Sequence, residues 1–234
     1  MTITLHVGNR NYSSWSLRPA LVLRWSGLPY QEELVSLDQP GYGHGQIVAV
    51  KAISPSGLVP SLQTGSLTLW DSLAISEWVA EQAPDAALWP KESATRALAR
   101  AATAEMHSGF GAIRRDMPMN IRRRVDAPAW LRQQGKDWAP DVSSNLLRLD
   151  ALIDDLRHRF SADGPWLCGA RSIADAFYTP VATRLRTYSV SLGKRTNAYF
   201  SHLLEDAAFK SWETQAIAEW QPFSRADTDS IYGE

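Results

Sequence analysis

The sequence predicts a mixed α/β fold in its first third and an all-α helical bundle in the remainder. Up to Ala83, short segments with the alternation of strands are interleaved with segments of helical spacing. From Ser93 onward nearly every apolar position recurs at helical spacing, and no segment has a convincing strand pattern. The chain of 234 residues is long enough for two modest cores. We therefore expect a first domain at 1–83, a linker at 84–92, a helical domain at 93–221 and a C-terminal tail at 222–234.

The elements of the first domain follow from apolar alternation and from turn residues. Residues 2–7 alternate like a strand, and the next helix should begin near Trp15 or Ser16, because Pro19 is tolerated only in a first helical turn. That start places Ser13 and Ser14 just outside the helix. The other expected elements are a strand at 30–37, a glycine-rich loop, strands at 59–62 and 66–70, and a helix that Asp71-Ser72 opens and that runs to about Gln82.

Two features stand out in the second domain. One long amphipathic helix should extend from Asp141 to Arg159, since apolar residues there lie three or four positions apart. Farther on, Ser172 and Asp175 have the spacing of a capping box, in which each side chain bonds the other residue's backbone N–H. This pair predicts the start of a buried helix rather than a binding site.

Composition excludes several classes of function. The 24 basic and 25 acidic residues give a formal charge of -1, so nothing favours binding to nucleic acid or to an anionic membrane. Cys168 is the single cysteine, which excludes an internal disulfide or a cysteine-rich metal site and fits a reducing compartment. The N-terminus lacks a signal-peptide pattern, and no apolar run approaches a membrane span. We expect a cytoplasmic protein that has no metal site and whose partners are small molecules or protein.

A cluster of hydroxyl groups lies where the first strand gives way to the first helix. Ser13, Ser14 and Ser16 are in this segment, next to the unpaired backbone N–H groups and the positive dipole end of the helix. A hydroxyl held there can donate to an anion such as a thiolate. Helix capping alone also explains serines at this place, and the residue types do not separate the two interpretations.

Four short segments resemble motifs of the cytosolic glutathione transferase family. Ser13-Ser14-Trp15-Ser16-Leu17-Arg18 is similar to the Ser-Ser-Cys-Ser-x-Arg motif of the zeta class, with tryptophan in the place of cysteine. Val59-Pro60 matches a Val-Pro pair, Asp71-Ser72-Leu73-Ala74-Ile75 is similar to Glu-Ser-x-Ala-Ile, and Gly169 to Asp175 matches Gly-x-x-Ser-x-Ala-Asp. Because the four occur in the family's order with suitable gaps, the chain resembles bacterial, serine-type members of this family.

The resemblance implies a fold and a set of partners. The N-terminal domain would be thioredoxin-like, with a mixed four-stranded sheet and helices, and the helical domain would bind the electrophile. Glutathione would be the co-substrate, and no cofactor would be permanently bound. A small hydrophobic electrophile would be the second partner, and the protein would be a homodimer.

The resemblance also assigns roles to residues. Ser13 is the preferred donor to the glutathione thiolate, and Ser14 is the adjacent candidate. A cis Pro60 would present the backbone of Val59 to the cysteinyl residue of glutathione, like an added strand. The remaining assignments are Asp71 and Ser72 at the γ-glutamyl end, and Met106, His107 and Phe110 on the first long helix as the electrophile pocket.

Several activities are compatible with these assignments. The main expectation is a glutathione S-transferase in which a serine hydroxyl stabilises the thiolate for attack on an electrophilic carbon. Glutathione-dependent cis-trans isomerisation of a maleyl-type substrate, peroxide reduction, and a non-catalytic binding protein with this fold are the alternatives. Exchange with glutathione disulfides is disfavoured, because Trp15 replaces the cysteine. Arg114-Arg115 is expected on a solvated face, with contact to an anionic co-substrate as the alternative.

Overall fold

The computed structural model describes residues 2–222, so all but the first residue of the expected tail at 222–234 lies outside the described residues. The first part of the chain contains β1 (Ile3–Gly8), α1 (Ser14–Ser26), β2 (Tyr30–Val35), α2 (Val48–Lys51), β3 (Ser61–Thr64), β4 (Leu67–Trp70) and α3 (Ser72–Gln82). The second part contains α4 (Ser93–Ser108), α5 (Gly111–Asp116), α6 (Ala127–Gln133), α7 (Pro140–Phe160), α8 (Ile173–Thr187), α9 (Lys194–Glu205) and α10 (Ala207–Ala218). Within the described residues, no helix is long and apolar enough to cross a membrane.

The first part forms one mixed four-stranded sheet with the order β2-β1-β3-β4. β1 pairs in parallel with β2 and antiparallel with β3, and β3 pairs antiparallel with β4. The facing residues Leu5 and Leu62 are fully buried, so one face of the sheet is covered by the helices. This arrangement confirms the predicted fold class, a thioredoxin-like α/β part followed by a helical part.

Several element boundaries depart from the sequence predictions; β2, for example, ends at Val35 rather than at position 37. Helix α1 begins at Ser14, so Ser14 lies in its first turn and only Ser13 lies outside, as the N-cap. β3 begins at Ser61 rather than at position 59, because Pro60 has no N–H to pair with a neighbouring strand. The loop after β2 also contains the short helix Val48–Lys51, which the sequence analysis missed.

Helix α8 forms the centre of the helical part. All but one of its residues are buried, and it packs against α1, α4 and α9. The predicted capping box at its start is present: Ser172 bonds the backbone of Asp175, and Asp175 bonds the backbone of Ser172. The long helix α7 also agrees with the prediction to within one residue at each end.

Asn11 joins the segment before α1 to the helical part of the chain. Its side-chain amide donates to Asn120 Oδ1 at 2.8 Å, and its Oδ1 accepts from the backbone N–H of Arg122 at 3.0 Å. The backbone N–H of Ile121 donates to the Asn11 carbonyl at 3.2 Å. These bonds fix the start of α1 against residues 120–122, and the serine cluster follows directly after them.

Candidate functional site

The Ser13 side chain is committed to the start of helix α1. Its Oγ accepts from the backbone N–H of Ser16 at 3.4 Å and donates to Ser16 Oγ at 2.8 Å. Ser16 Oγ in turn accepts from the backbone N–H of Gly8, at the end of β1. The hydroxyl hydrogen of Ser13 is therefore used to tie the helix to the strand before it, and is not free to be donated to a ligand.

Ser14 has a different environment. Its Oγ accepts a hydrogen bond of 2.9 Å from Nη2 of Arg184, a buried residue of α8, while Nη1 of Arg184 donates to the carbonyl of Met117 at 2.8 Å. Among the described residues, none accepts the hydrogen of the Ser14 hydroxyl. That hydrogen can be donated to a ligand, and the adjacent guanidinium makes the hydroxyl a stronger donor.

Both serines border a cavity of about 340 Å³. Apolar side chains of the loop after β2, of α2 and of the segment after α5 form part of its wall, namely Leu37, Ile47, Val50 and Met119. Arg114 and Arg184 supply its positive charge. Burial lowers the pKa of Arg184 to about 10, so its guanidinium remains charged at neutral pH, and burial also lowers the pKa of Arg114. We refer to this space, by the role proposed for it, as the electrophile cavity.

A second cavity of about 250 Å³ contains the residues that the sequence assigned to glutathione. Val59, Pro60, Asp71 and Ser72 all line it, and the Val59-Pro60 peptide bond is cis. Ser72 Oγ is buried and has no hydrogen-bond partner among the described residues. We refer to this space as the glutathione cavity.

Asp71 adopts an unusual backbone conformation at the edge of the glutathione cavity. It has φ = 75°, a region that non-glycine residues rarely occupy, and its Oδ1 accepts from the backbone N–H groups of Leu73 and Ala74 at 2.8 and 3.3 Å. Its Oδ2 lies 3.3 Å from Nε2 of His107. The carboxylate therefore caps α3 and contacts α4 at the same time.

The three residues assigned to the electrophile pocket have separate locations. Met106 lies on α4, but Phe110 follows the end of that helix at Ser108 and is not part of it, contrary to the prediction. Both are buried in the core, and neither lines the electrophile or the glutathione cavity. His107 contacts Asp71 and packs edge-on against Trp15 at 5.4 Å between ring centroids. Burial is the main cause that lowers the pKa of His107, and the charge of Asp71 opposes it.

Of the two arginines of the electrophile cavity, the sequence offered only Arg114 as a contact to an anionic co-substrate, and only as the alternative to a solvated face. Arg114 was expected on a solvated face, but it is half-buried and lines the cavity, whereas its neighbour Arg115 is exposed and bonds Asp116 and Asp141. Arg184 was missed altogether. The sequence offers no clear signal for it, since Arg186 follows two positions later in the same helix and is only partly buried.

Comparisons with known proteins agree with this geometry. The profile of the family described as "Glutathione S-transferase, N-terminal domain" matches residues 12–82. A maleylpyruvate isomerase from Ralstonia sp is 32% identical over 198 residues, which cover 78% of this chain and 82% of that protein. A maleylacetoacetate isomerase from Pseudomonas aeruginosa is 29% identical over 192 residues, covering 80% and 84% of the two chains. The solved structure titled as a holo maleyl pyruvate isomerase, a bacterial zeta-class glutathione S-transferase, is 27% identical with a TM-score of 0.65 and coverage of 95% and 99%.

Proposed function

Since the chain belongs to the glutathione S-transferase family, we propose that glutathione binds across the two adjoining cavities and that Ser14 stabilises its thiolate. The γ-glutamyl end lies at Asp71 and Ser72, where the unpartnered Ser72 hydroxyl can bond the carboxylate. The cysteinyl backbone pairs with Val59. This placement directs the sulfur toward the start of α1 and the electrophile cavity.

The thiolate is stabilised at Ser14 by two effects. The free hydroxyl hydrogen donates to the sulfur anion, and the positive end of the α1 dipole favours the negative charge. Together they contribute roughly 2–3 kcal/mol, which lowers the pKa of the bound thiol by about two units. Arg184 strengthens the effect through its bond to Ser14 Oγ.

The charge of the electrophile cavity favours a small unsaturated dicarboxylate of maleyl type as the second substrate. The observation that carries this choice is the presence of two guanidiniums, Arg114 and Arg184, in the cavity that also contains the Ser14 hydroxyl. Guanidinium groups bind carboxylates through charge-assisted hydrogen bonds. An apolar wall opposite them suits the carbon chain of such a substrate.

The reaction proposed is cis-trans isomerisation by reversible thiol addition. The thiolate forms a C–S bond to one alkene carbon, and the π electrons move onto the conjugated carbonyl group as an enolate. Rotation about the resulting single bond follows. The enolate then re-forms the double bond and expels the thiolate, so no proton or electron is consumed. Arg114 and Arg184 stabilise the negative charge that develops on the oxygens.

Transfer of glutathione to a neutral electrophile is the second candidate function. The apolar side chains of Leu37, Ile47, Val50 and Met119 support it, because such a wall binds an aryl or alkyl group without any anion. Peroxide reduction has no comparable support from the described residues. The two candidates differ in whether the cavity cations are used.

One set of assays tests the proposal. The protein is mixed at pH 7 with glutathione and, in parallel, with a maleyl dicarboxylate, chlorodinitrobenzene or an organic hydroperoxide, and initial rates are compared. We expect the dicarboxylate to give the highest kcat/KM, and glutathione alone to produce the ultraviolet absorbance of a bound thiolate. Faster conversion of chlorodinitrobenzene would favour the transferase. Glutathione binding without a thiolate signal would indicate a non-catalytic protein.

Removing one cation from the electrophile cavity should selectively weaken the binding of the dicarboxylate. We expect Arg114→Gln to raise the KM of the dicarboxylate about tenfold, because one charge-assisted contact is lost, and to change kcat/KM for chlorodinitrobenzene less than about twofold. Arg115→Gln is the matched control, since this neighbouring arginine is exposed and bonded to Asp116 and Asp141. Equal effects of the two variants would contradict a role for Arg114 in anion binding.

We also infer that the protein is a homodimer. Leu58, Leu67 and Trp70 are exposed apolar side chains on and near β4, an edge strand of the sheet, and Leu58 and Trp70 also line the glutathione cavity. A second copy packed on this surface would bury them. Light scattering that gives the mass of one chain would contradict this inference.

A further inference from the structure

Trp15 forms a wall shared by both cavities. It lies in the first turn of α1, and it lines the electrophile cavity as well as the glutathione cavity. This position holds cysteine in the motif that the segment resembles, so a large aromatic ring stands where that motif has a small thiol. The substitution changes which groups can pack at the junction of the cavities.

Two guanidinium groups pack against the indole ring. Cζ of Arg18 lies 4.1 Å from the ring centroid, and Cζ of Arg114 lies 5.6 Å from it. Both distances fall within the range of cation–π attraction, which is strongest for tryptophan. The ring thus contacts an arginine of the core and an arginine of the electrophile cavity.

These cations have few other partners. Arg18 is almost fully buried, and its Nε and Nη1 atoms have no hydrogen-bond partner among the described residues. The pKa of Arg18 is lowered to about 9, mainly by burial and also by the charges of Arg184 and Arg114, while Asp71 opposes these effects. Three like charges in a poorly solvated region repel one another, so attraction to a π face stabilises the cluster.

Arg114 is the member of the cluster that can move. Arg18 is enclosed, and Arg184 is held by Ser14 and by the carbonyl of Met117. Arg114 is only half-buried, and its described hydrogen bonds, to the carbonyls of Met106 and Gly109, use Nη1 alone. Without the indole, repulsion from Arg18 and Arg184 would favour a rotation that turns Nε and Nη2 of Arg114 toward solvent.

We propose that Trp15 is a positioning residue that holds the Arg114 guanidinium in the electrophile cavity by a cation–π contact and so sets the preference for anionic over neutral electrophiles. The preference for anionic electrophiles rests on the proposed function, whereas the contact that positions Arg114 does not. Trp15 acts through Arg114 and forms no bond with the reacting atoms.

The test combines a spectroscopic and a kinetic measurement on the full chain. In ¹⁵N–¹H spectra, the arginine Nε signal that disappears in Arg114→Gln is assigned to Arg114. Ring current from the indole should shift this signal upfield in the wild type. Trp15→Leu should move it downfield to the range of solvent-exposed arginines, and Trp15→Phe should leave it between the two positions.

The kinetic measurement is a double-mutant cycle. We expect Trp15→Leu to raise the KM of the dicarboxylate about tenfold, or ~1.4 kcal/mol, and Trp15→Phe to raise it about threefold. In the Arg114→Gln background, Trp15→Leu should add less than about twofold, because the contact is already absent. Trp89→Leu is the control, since Trp89 also contacts an arginine, Arg100, at 5.4 Å but lines neither cavity.

Two outcomes would overturn the inference. One is an Arg114 signal that keeps its wild-type position in Trp15→Leu, and the other is an effect of Trp15→Leu on KM that is equally large with and without Arg114. Trp15→Phe keeps an aromatic ring at the site and supplies the spectroscopic comparison if the leucine variant does not fold. Failure of the proposed function is recognised separately, as a wild-type protein without glutathione-dependent turnover of the dicarboxylate, and the spectra report on Trp15 in that case too.

Discussion

Replacing Ser14 with alanine should lower kcat/KM with glutathione about 10- to 50-fold. The variant loses the hydroxyl hydrogen that no described residue accepts, and with it the larger part of the roughly 2–3 kcal/mol that this hydrogen bond and the α1 dipole supply together. Most of the thiolate absorbance of bound glutathione should disappear at pH 7. The midpoint of the pH–rate profile should rise by about one to two units, because the bound thiol keeps the helix dipole but loses the hydroxyl donor.

Ser13→Ala is the matched control for this experiment. Its hydroxyl caps α1 through the backbone N–H of Ser16 and bonds Ser16 Oγ, so its loss should reduce the free energy of unfolding by about 1 kcal/mol. The thiolate signal should persist. Urea denaturation measures the first effect, and a glutathione titration followed in the ultraviolet measures the second.

The opposite result would favour Ser13, which the sequence analysis prefers as the thiolate donor. If Ser13→Ala abolished the thiolate signal while Ser14→Ala kept it, the Ser13 hydroxyl would have to leave Ser16 and turn toward the ligand. Loss of the signal only in the double variant would mean that either hydroxyl can donate. Each outcome assigns the thiolate donor, because each single variant removes the hydroxyl group of only one of the two adjacent serines.

The difference between these serines marks a limit of sequence reasoning. Local motifs were sufficient to bring Val59, Pro60, Asp71 and Ser72 together, because each lies within a short segment whose geometry is set by its own residues. The role proposed for Ser14 depends on Arg184, which is 170 positions away in the sequence. No local pattern encodes that contact, since it requires α8 to pack against α1.

The electrophile cavity shows the same limit. Helical spacing predicted that Met106, His107 and Phe110 lie on one helix, but α4 ends at Ser108 and leaves Phe110 outside it. The spacing also could not show that Met106 and Phe110 face the core. Nor could it distinguish Arg114 from Arg115, which are neighbours in sequence but point in different directions from the helix. Cavity walls are built from several helices, so their composition follows from packing rather than from a single periodicity.

Asp175→Ala should be the most destabilising single substitution considered for this protein. The carboxylate is fully buried and accepts four hydrogen bonds, from the backbone N–H groups of Leu167 and Ser172, from Ser172 Oγ and from the Tyr199 hydroxyl. Alanine would leave these donors buried without an acceptor. We expect the free energy of unfolding to fall by about 3–5 kcal/mol, measured by urea denaturation at pH 7.

Asp126→Ala provides the matched control for Asp175. Asp126 also caps a helix, through a 2.9 Å bond from the backbone N–H of Ala129, but it is exposed, so water replaces the lost acceptor. We expect Asp126→Ala to reduce the free energy of unfolding by about 1 kcal/mol. Similar losses for the two variants would mean that the donors around Asp175 reach other partners, and that its capping box is not a buried network.

Asp175→Ala also separates a structural role of Asp175 from a role in catalysis. Asp175 lines neither cavity, although it begins the helix that carries Arg184. If it acts only on stability, kcat/KM per folded molecule, measured well below the unfolding transition, should stay within about twofold of the wild type. A larger loss would mean that the start of α8 controls the position of Arg184, and through it the hydroxyl of Ser14. The buried box would then be a positioning element of the active site as well as a support of the fold.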